Sequence, residues 1–102
     1  MKHLIILTFD LEGAESSDYD NLNEALKRIG FVNSINAPHL MGKASLPSNT
    51  YSVEFDKEDI DLSNALVTFA EAIKKAFIES KVKGEFFVQI TNSYKWTKGA
   101  SK

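Results

Sequence analysis

Residues 3–9, His-Leu-Ile-Ile-Leu-Thr-Phe, are a short continuous apolar run whose length and β-branched, aromatic content read as a β-strand. Alternation puts His3, Ile5, Leu7 and Phe9 on one face and Leu4, Ile6 and Thr8 on the other. Both faces are mostly apolar. That pattern belongs to a central strand covered on two sides, and it organises everything around it.

Asp10 closes the run. A carboxylate at the tip of a buried strand is held rigidly while its head faces solvent. The commoner role of such an Asp is to cap the following turn by accepting backbone amide protons. The alternative is ligation of Mg²⁺ or Mn²⁺, ions that keep several waters and need only one or two protein carboxylates. In a twofold dimer, two copies of Asp10 would be able to converge on one ion.

Two amphipathic helices follow from the 3.6-residue period. Tyr19, Leu22, Ala25, Leu26 and Ile29 form one stripe, so a helix is expected over 18–29 with Asp18 as N-cap and Gly30 as the left-handed residue beyond its end. Leu62, Ala65, Leu66, Phe69, Ala70, Ile73, Ala76 and Phe77 form a broader stripe over 62–80, with Asp61 or Ser63 as N-cap. Between them, 31–37 is weakly strand-like and 38–49 holds both prolines in a long connection. Residues 50–55 alternate cleanly, with Tyr51, Val53 and Phe55 inward. Residues 85–91 are a further strand, with Phe86, Val88 and Ile90 on one side and Phe87 on the other.

The expected order is therefore βαββαβ: an α+β, ferredoxin-like sandwich over residues 1–92, with an antiparallel sheet and both helices on one face. Residues 93–102 form an aromatic and basic tail, a candidate interface strand. Apolar residues on the face away from the helices (Leu4, Ile6, Phe87, and Ile35 or Val32) make a homodimer the simplest way to cover it.

Composition narrows the chemistry. No cysteine is present, so disulfides and thiolate metal sites are excluded, in keeping with a cytoplasmic protein. Only two His occur, at 3 and 39, which disfavours a His-based zinc site; His3 reads as a packed or interface residue and His39 as a loop residue. No apolar run approaches the ~18 residues of a membrane span. The formal charge of −2 argues against broad, nonspecific affinity for nucleic acid, while leaving room for local basic patches. The tail offers one: Tyr94, Lys95, Trp96 and Lys98 alternate rings that stack on bases with cations that neutralise phosphate. The same rings equally suit packing on a partner subunit. Glu12 and Glu15 share the loop with Asp10. The run Asp56, Glu58, Asp59 and Asp61 lacks the Gly and terminal Glu of an EF-hand and reads as a helix-leading acidic segment.

Thr8-Phe9-Asp10-Leu11, then the short loop, then Tyr19-Asp20-Asn21-Leu22-Asn23-Glu24-Ala25-Leu26 with the Gly30 stop, resemble the small ferredoxin-like CRISPR-associated endoribonucleases and their relatives, including VapD-type toxins and GhoS-type antitoxins. The resemblance is most specific over residues 8–30. It implies a dimer formed through the sheets, a C-terminal strand reaching the partner, and Asp10 as the metal-proximal aspartate. The reading built on it is cleavage of RNA or DNA phosphodiesters with Mg²⁺ or Mn²⁺ held by paired Asp10 side chains, with Lys43, Lys95 and Lys98 positioning phosphate and Trp96 stacking on a base. The acidic balance suits an alternative, a noncatalytic module (an antitoxin or an inhibitor of a defence system) whose acidic surface meets a basic protein partner.

Overall fold

The computed structural model describes residues 2–37 and 42–101; residues 38–41, which open the expected 38–49 connection and include His39, lie outside them. The elements run β1 (Lys2–Leu11), α1 (Ser16–Arg28), β2 (Ser34–Ala37), β3 (Gly42–Ser45), β4 (Thr50–Asp56), α2 (Leu62–Glu79) and β5 (Gly84–Asn92). The fold is α+β. β1 is the central strand of a three-stranded antiparallel sheet ordered β4-β1-β5, and β2 and β3 form a separate two-stranded sheet.

Both helices cover the face carrying Ile5, Leu7 and Phe9, which pack with Leu22 and Leu26 of α1, Tyr51 of β4, and Ile73 and Phe77 of α2. Phe9 stacks on Tyr51 at 5.7 Å and meets Phe77 edge-on at 5.8 Å. Each fully buried aliphatic or aromatic side chain contributes about 1.5–3 kcal/mol of transfer free energy, which makes this layer the main source of stability. His3 belongs to the same face. It is buried against Phe55 at 5.1 Å, with Nε2 2.9 Å from the Lys57 carbonyl oxygen, while Nδ1 is buried without a hydrogen-bond partner among the described residues.

The ends of the helices show how local chemistry acts. At the C-terminus of α1, Gly30 takes φ 98°, the Gly30 N–H donates to Lys27 O and the Phe31 N–H to Leu26 O, and Phe31 folds back into the core. The N-terminus lies three residues earlier than expected. Glu15, not Asp18, is the N-cap; Asp18 occupies the third helical position and accepts the Glu15 N–H at 2.9 Å. An acid three positions inside a helix that reaches back to the cap is easily read, by type alone, as the cap itself. Of the two expected caps of α2, Asp61 and Ser63, Asp61 serves, accepting from the Asn64 N–H at 3.2 Å.

The sheet departs from the expected four-stranded layer. Residue 32 makes a single antiparallel bridge to Ser52, and the chain then leaves β4 to pair with β3. Side chains of β4 take over the bonds a ladder would make. Ser52 Oγ donates to Ser34 O at 2.6 Å, and the Asn36 N–H donates to a Glu54 carboxylate oxygen at 2.8 Å. The freed hairpin folds over the back of the sheet, where Ile35, Ala37 and Ala44 bury Leu4, joined by Leu46, Tyr94 and Trp96. The apolar back that made a twofold partner the expectation is thus covered at Leu4, now 6% exposed, by the chain itself. No described helix is long and apolar enough to cross a membrane.

Candidate nucleic-acid interface

Strand parity and register lay out the back face as a grid. Leu4, Ile6, Thr8 and Asp10 of β1 stand beside Thr91, Gln89, Phe87 and Glu85 of β5. On the other side, Glu54, Ser52 and Thr50 of β4 face Leu4, Ile6 and Thr8. The face therefore changes character along β1, from apolar and covered at Leu4 to open and acidic at Asp10.

The covered end carries a groove of about 640 Å³ between the sheet, the β2–β3 hairpin and the tail. Ile6 and Leu46 supply apolar lining, and Tyr94, Lys95, Trp96 and Lys98 border it. Residues 93–101 have no regular secondary structure and are held on this face by their rings. The Tyr94 hydroxyl donates to Glu54, whose other oxygen holds Asn36, so one carboxylate ties β4, β2 and the tail together. Burial, then the hydrogen bond and charge of Glu54, push the Tyr94 phenol up to about 12. Trp96 is half-buried in the same cluster.

The open end is a shallow depression of about 350 Å³ bordered by Thr8, Asp10, Asn49, Thr50, Glu85 and Phe87. Asp10 is exposed and lies inside β1, one residue before its end. Its carboxylate makes no side-chain hydrogen bond or ion pair among the described residues, so the turn-capping role is not the one it plays here. Directly across the ladder stands Glu85, also exposed and also without such a partner among them. Like charges opposite each other in antiparallel strands destabilise the pair. A local conflict of this kind is expected where function outweighs stability.

Of the residues singled out from sequence, Lys95, Trp96 and Lys98 come together along the groove. Lys43 does not join them. It sits on β3 opposite Asn36 and borders a separate cavity of about 170 Å³ with Ser52 and Glu54. Glu15 is spent on the start of α1, and Glu12 is an exposed loop residue. No group of three His, Cys, Asp or Glu able to hold a metal occurs among the described residues. The donors at the open end are nevertheless all hard oxygens, two of them carboxylates, a set that suits Mg²⁺ or Mn²⁺ carrying most of its own water. Glu85 and Phe87 are the site residues that sequence reasoning missed. The parity of β5 placed Phe87 on this face, but its position beside Asp10 follows only from register.

No protein-family model matches the chain, and no curated protein matches it significantly.

Proposed function

We propose that this protein binds an RNA or DNA strand across the back of its sheet and hydrolyses a phosphodiester at Asp10. The sheet is read as ferredoxin-like, with the Val32–Ser52 bridge standing where the fourth strand would pair. The observation that carries the proposal is the unpartnered Asp10–Glu85 pair, lying on the same face as a groove whose charged lining residues, Lys95 and Lys98, are both cationic. The resemblance to the small CRISPR-associated endoribonucleases implies only the metal-proximal role of Asp10; Glu85, which register sets beside it, here stands in place of a second Asp10 from a partner subunit.

Lys95 and Lys98 hold phosphates at one end, and Trp96 gives the groove an aromatic wall. Asp10 and Glu85 would hold Mg²⁺ or Mn²⁺, whose chemistry when bound is to acidify a water and to neutralise charge on the phosphodiester. In the overall reaction a P–O bond forms from water, the P–O ester bond breaks, and a proton passes to the leaving oxygen. The test is incubation of labelled RNA and DNA with Mg²⁺ or Mn²⁺, beside Asp10→Ala and Glu85→Gln. Cleavage by the native protein that vanishes in Asp10→Ala supports the reading.

A second reading, the noncatalytic module with a basic protein partner, is favoured by the absence of a third metal-ligating side chain among the described residues and by exposed Asp56, Glu58, Asp59 and Asp61. Absence of cleavage by native protein and variants alike selects it.

A further inference from the structure

Phe87 is the only aromatic ring in the described residues that is mostly exposed, at 63%. It projects from β5 directly opposite Thr8, on the back face, between the lysine-bordered groove and the Asp10–Glu85 pair. The other rings are buried or half-buried in the two clusters, and Tyr94 already spends its hydroxyl on Glu54. A strand lying on this face would run from Lys95 and Lys98 to Asp10, and from Ile6 to Asp10 it would cross four residues of β1, about 14 Å at ~3.4 Å per residue. Phe87 lies in the middle of that path.

We infer that Phe87 is a base-stacking platform and that the ligand of this face is a single-stranded nucleic acid. The inference rests on the reading of the face as a nucleic-acid site and adds to it the state of the strand. A ring standing on an open sheet offers its flat surface only to a base that has left its own stack, as in other sheet-surface readers of single strands. In a duplex the base faces are already occupied, so Phe87 contributes nothing there. The occupant's phosphates belong at the adjoining groove, whose charged lining side chains are both lysines, while the depression that Phe87 borders carries the carboxylates Asp10 and Glu85 and receives the uncharged base. The chemistry called for is thus alternating negative charge and flat apolar rings. An acidic peptide supplies the charge without the rings.

The test is fluorescence anisotropy of a labelled single-stranded RNA 12-mer, the same strand in a duplex, and a poly-glutamate peptide, in EDTA so that nothing is cleaved. Native protein is compared with Phe87→Ala, Phe87→Leu, Phe87→Trp and the double variant Lys95→Gln/Lys98→Gln, each checked for native circular dichroism. Phe87→Leu keeps an apolar side chain on the strand and loses only the ring. The expected result is preference for the single strand, about tenfold or more weakening by both Ala and Leu, the scale of one lost stack, and retention by Trp. Single-strand binding that is lost in the lysine variant but unchanged in Phe87→Ala and Phe87→Leu overturns the inference while leaving the nucleic-acid reading standing. Equal losses for duplex and single strand, or poly-glutamate binding with the same dependence on Phe87, also overturn it. No binding of either RNA form by the native protein, in EDTA and again in Mg²⁺, removes the nucleic-acid reading itself.

Discussion

Gly84 lies so close to Asp10 that a Cβ placed on it would fall 2.1 Å from the Asp10 carbonyl oxygen. Gly84 opens β5 and pairs with Leu11, so the missing side chain lets the two strands close at the end where Asp10 meets Glu85. Gly84→Ala is expected to push β5 away from β1 and to destabilise by about 1–3 kcal/mol, the range of an overpacked contact. Urea denaturation measures the loss. Amide exchange locates it, because the Glu12 N–H that donates to Lys83 O at 2.8 Å should lose protection first.

The carboxylate pair predicts opposite signs for stability and activity. Glu85→Gln and Asp10→Asn each remove one of two facing charges and are expected to raise stability by about 0.2–1 kcal/mol. The gain should shrink in high salt, because both groups are exposed. Cleavage, if it depends on the pair, falls in the same variants. Paired urea titrations at low and high salt, run beside the nuclease assay, check both directions.

Alkali should loosen the tail. Tyr94 titrates near 10 in an unfolded chain and is raised to about 12 here by burial and by Glu54. Its contribution is therefore fully present below pH 10 and is lost as pH rises from 10 to 12, when the phenolate can no longer donate to Glu54. Burial also raises Tyr51, which donates to Asn23, so its contribution has the same sign. Stability measured between pH 8 and 12 should fall in this window. Tyr94→Phe should lessen the slope without abolishing it, the remainder belonging to Tyr51. A slope unchanged in Tyr94→Phe would show that the Tyr94–Glu54 bond does not contribute.

The C-terminus of α2 carries a correctable strain. Lys81 sits at φ 57° beyond the helix end, where the Lys81 N–H donates to Ile78 O and the Val82 N–H to Phe77 O, the same closing pattern that Gly30 serves at α1. A left-handed conformation costs an ordinary residue roughly 1–2 kcal/mol. Glycine removes that cost but gives back about 0.5–1 kcal/mol in chain entropy. Lys81→Gly is expected to stabilise by up to about 1 kcal/mol, read from the urea midpoint at constant m-value.

What could be read from residues alone was what short-range chemistry governs. The central strand, the Gly30 stop, the Asp61 cap and the inward set Tyr51, Val53 and Phe55 all follow from a period or a cap spanning a few residues. The start of α1 was displaced because Asp18 suits two positions of one cap. The β2–β3 hairpin was only partly legible: 31–37 reads as weakly strand-like and 38–49 as a long connection or hairpin tip, but the strands are four residues each, and their place was chosen by Ser52 and Glu54, far away in sequence.

The site divides in the same way. That Asp10 closes the apolar run of β1 with its carboxylate in solvent was determined by the sequence, because alternation and length suffice to place it. That Glu85 stands across from it, that Phe87 lies between it and the lysines, and that the chain covers its own back at Leu4 were decided only by tertiary structure. Register and side-chain bridges between distant strands set those neighbours, and no local pattern encodes a pairing across seventy-five positions of chain, from residue 10 to residue 85.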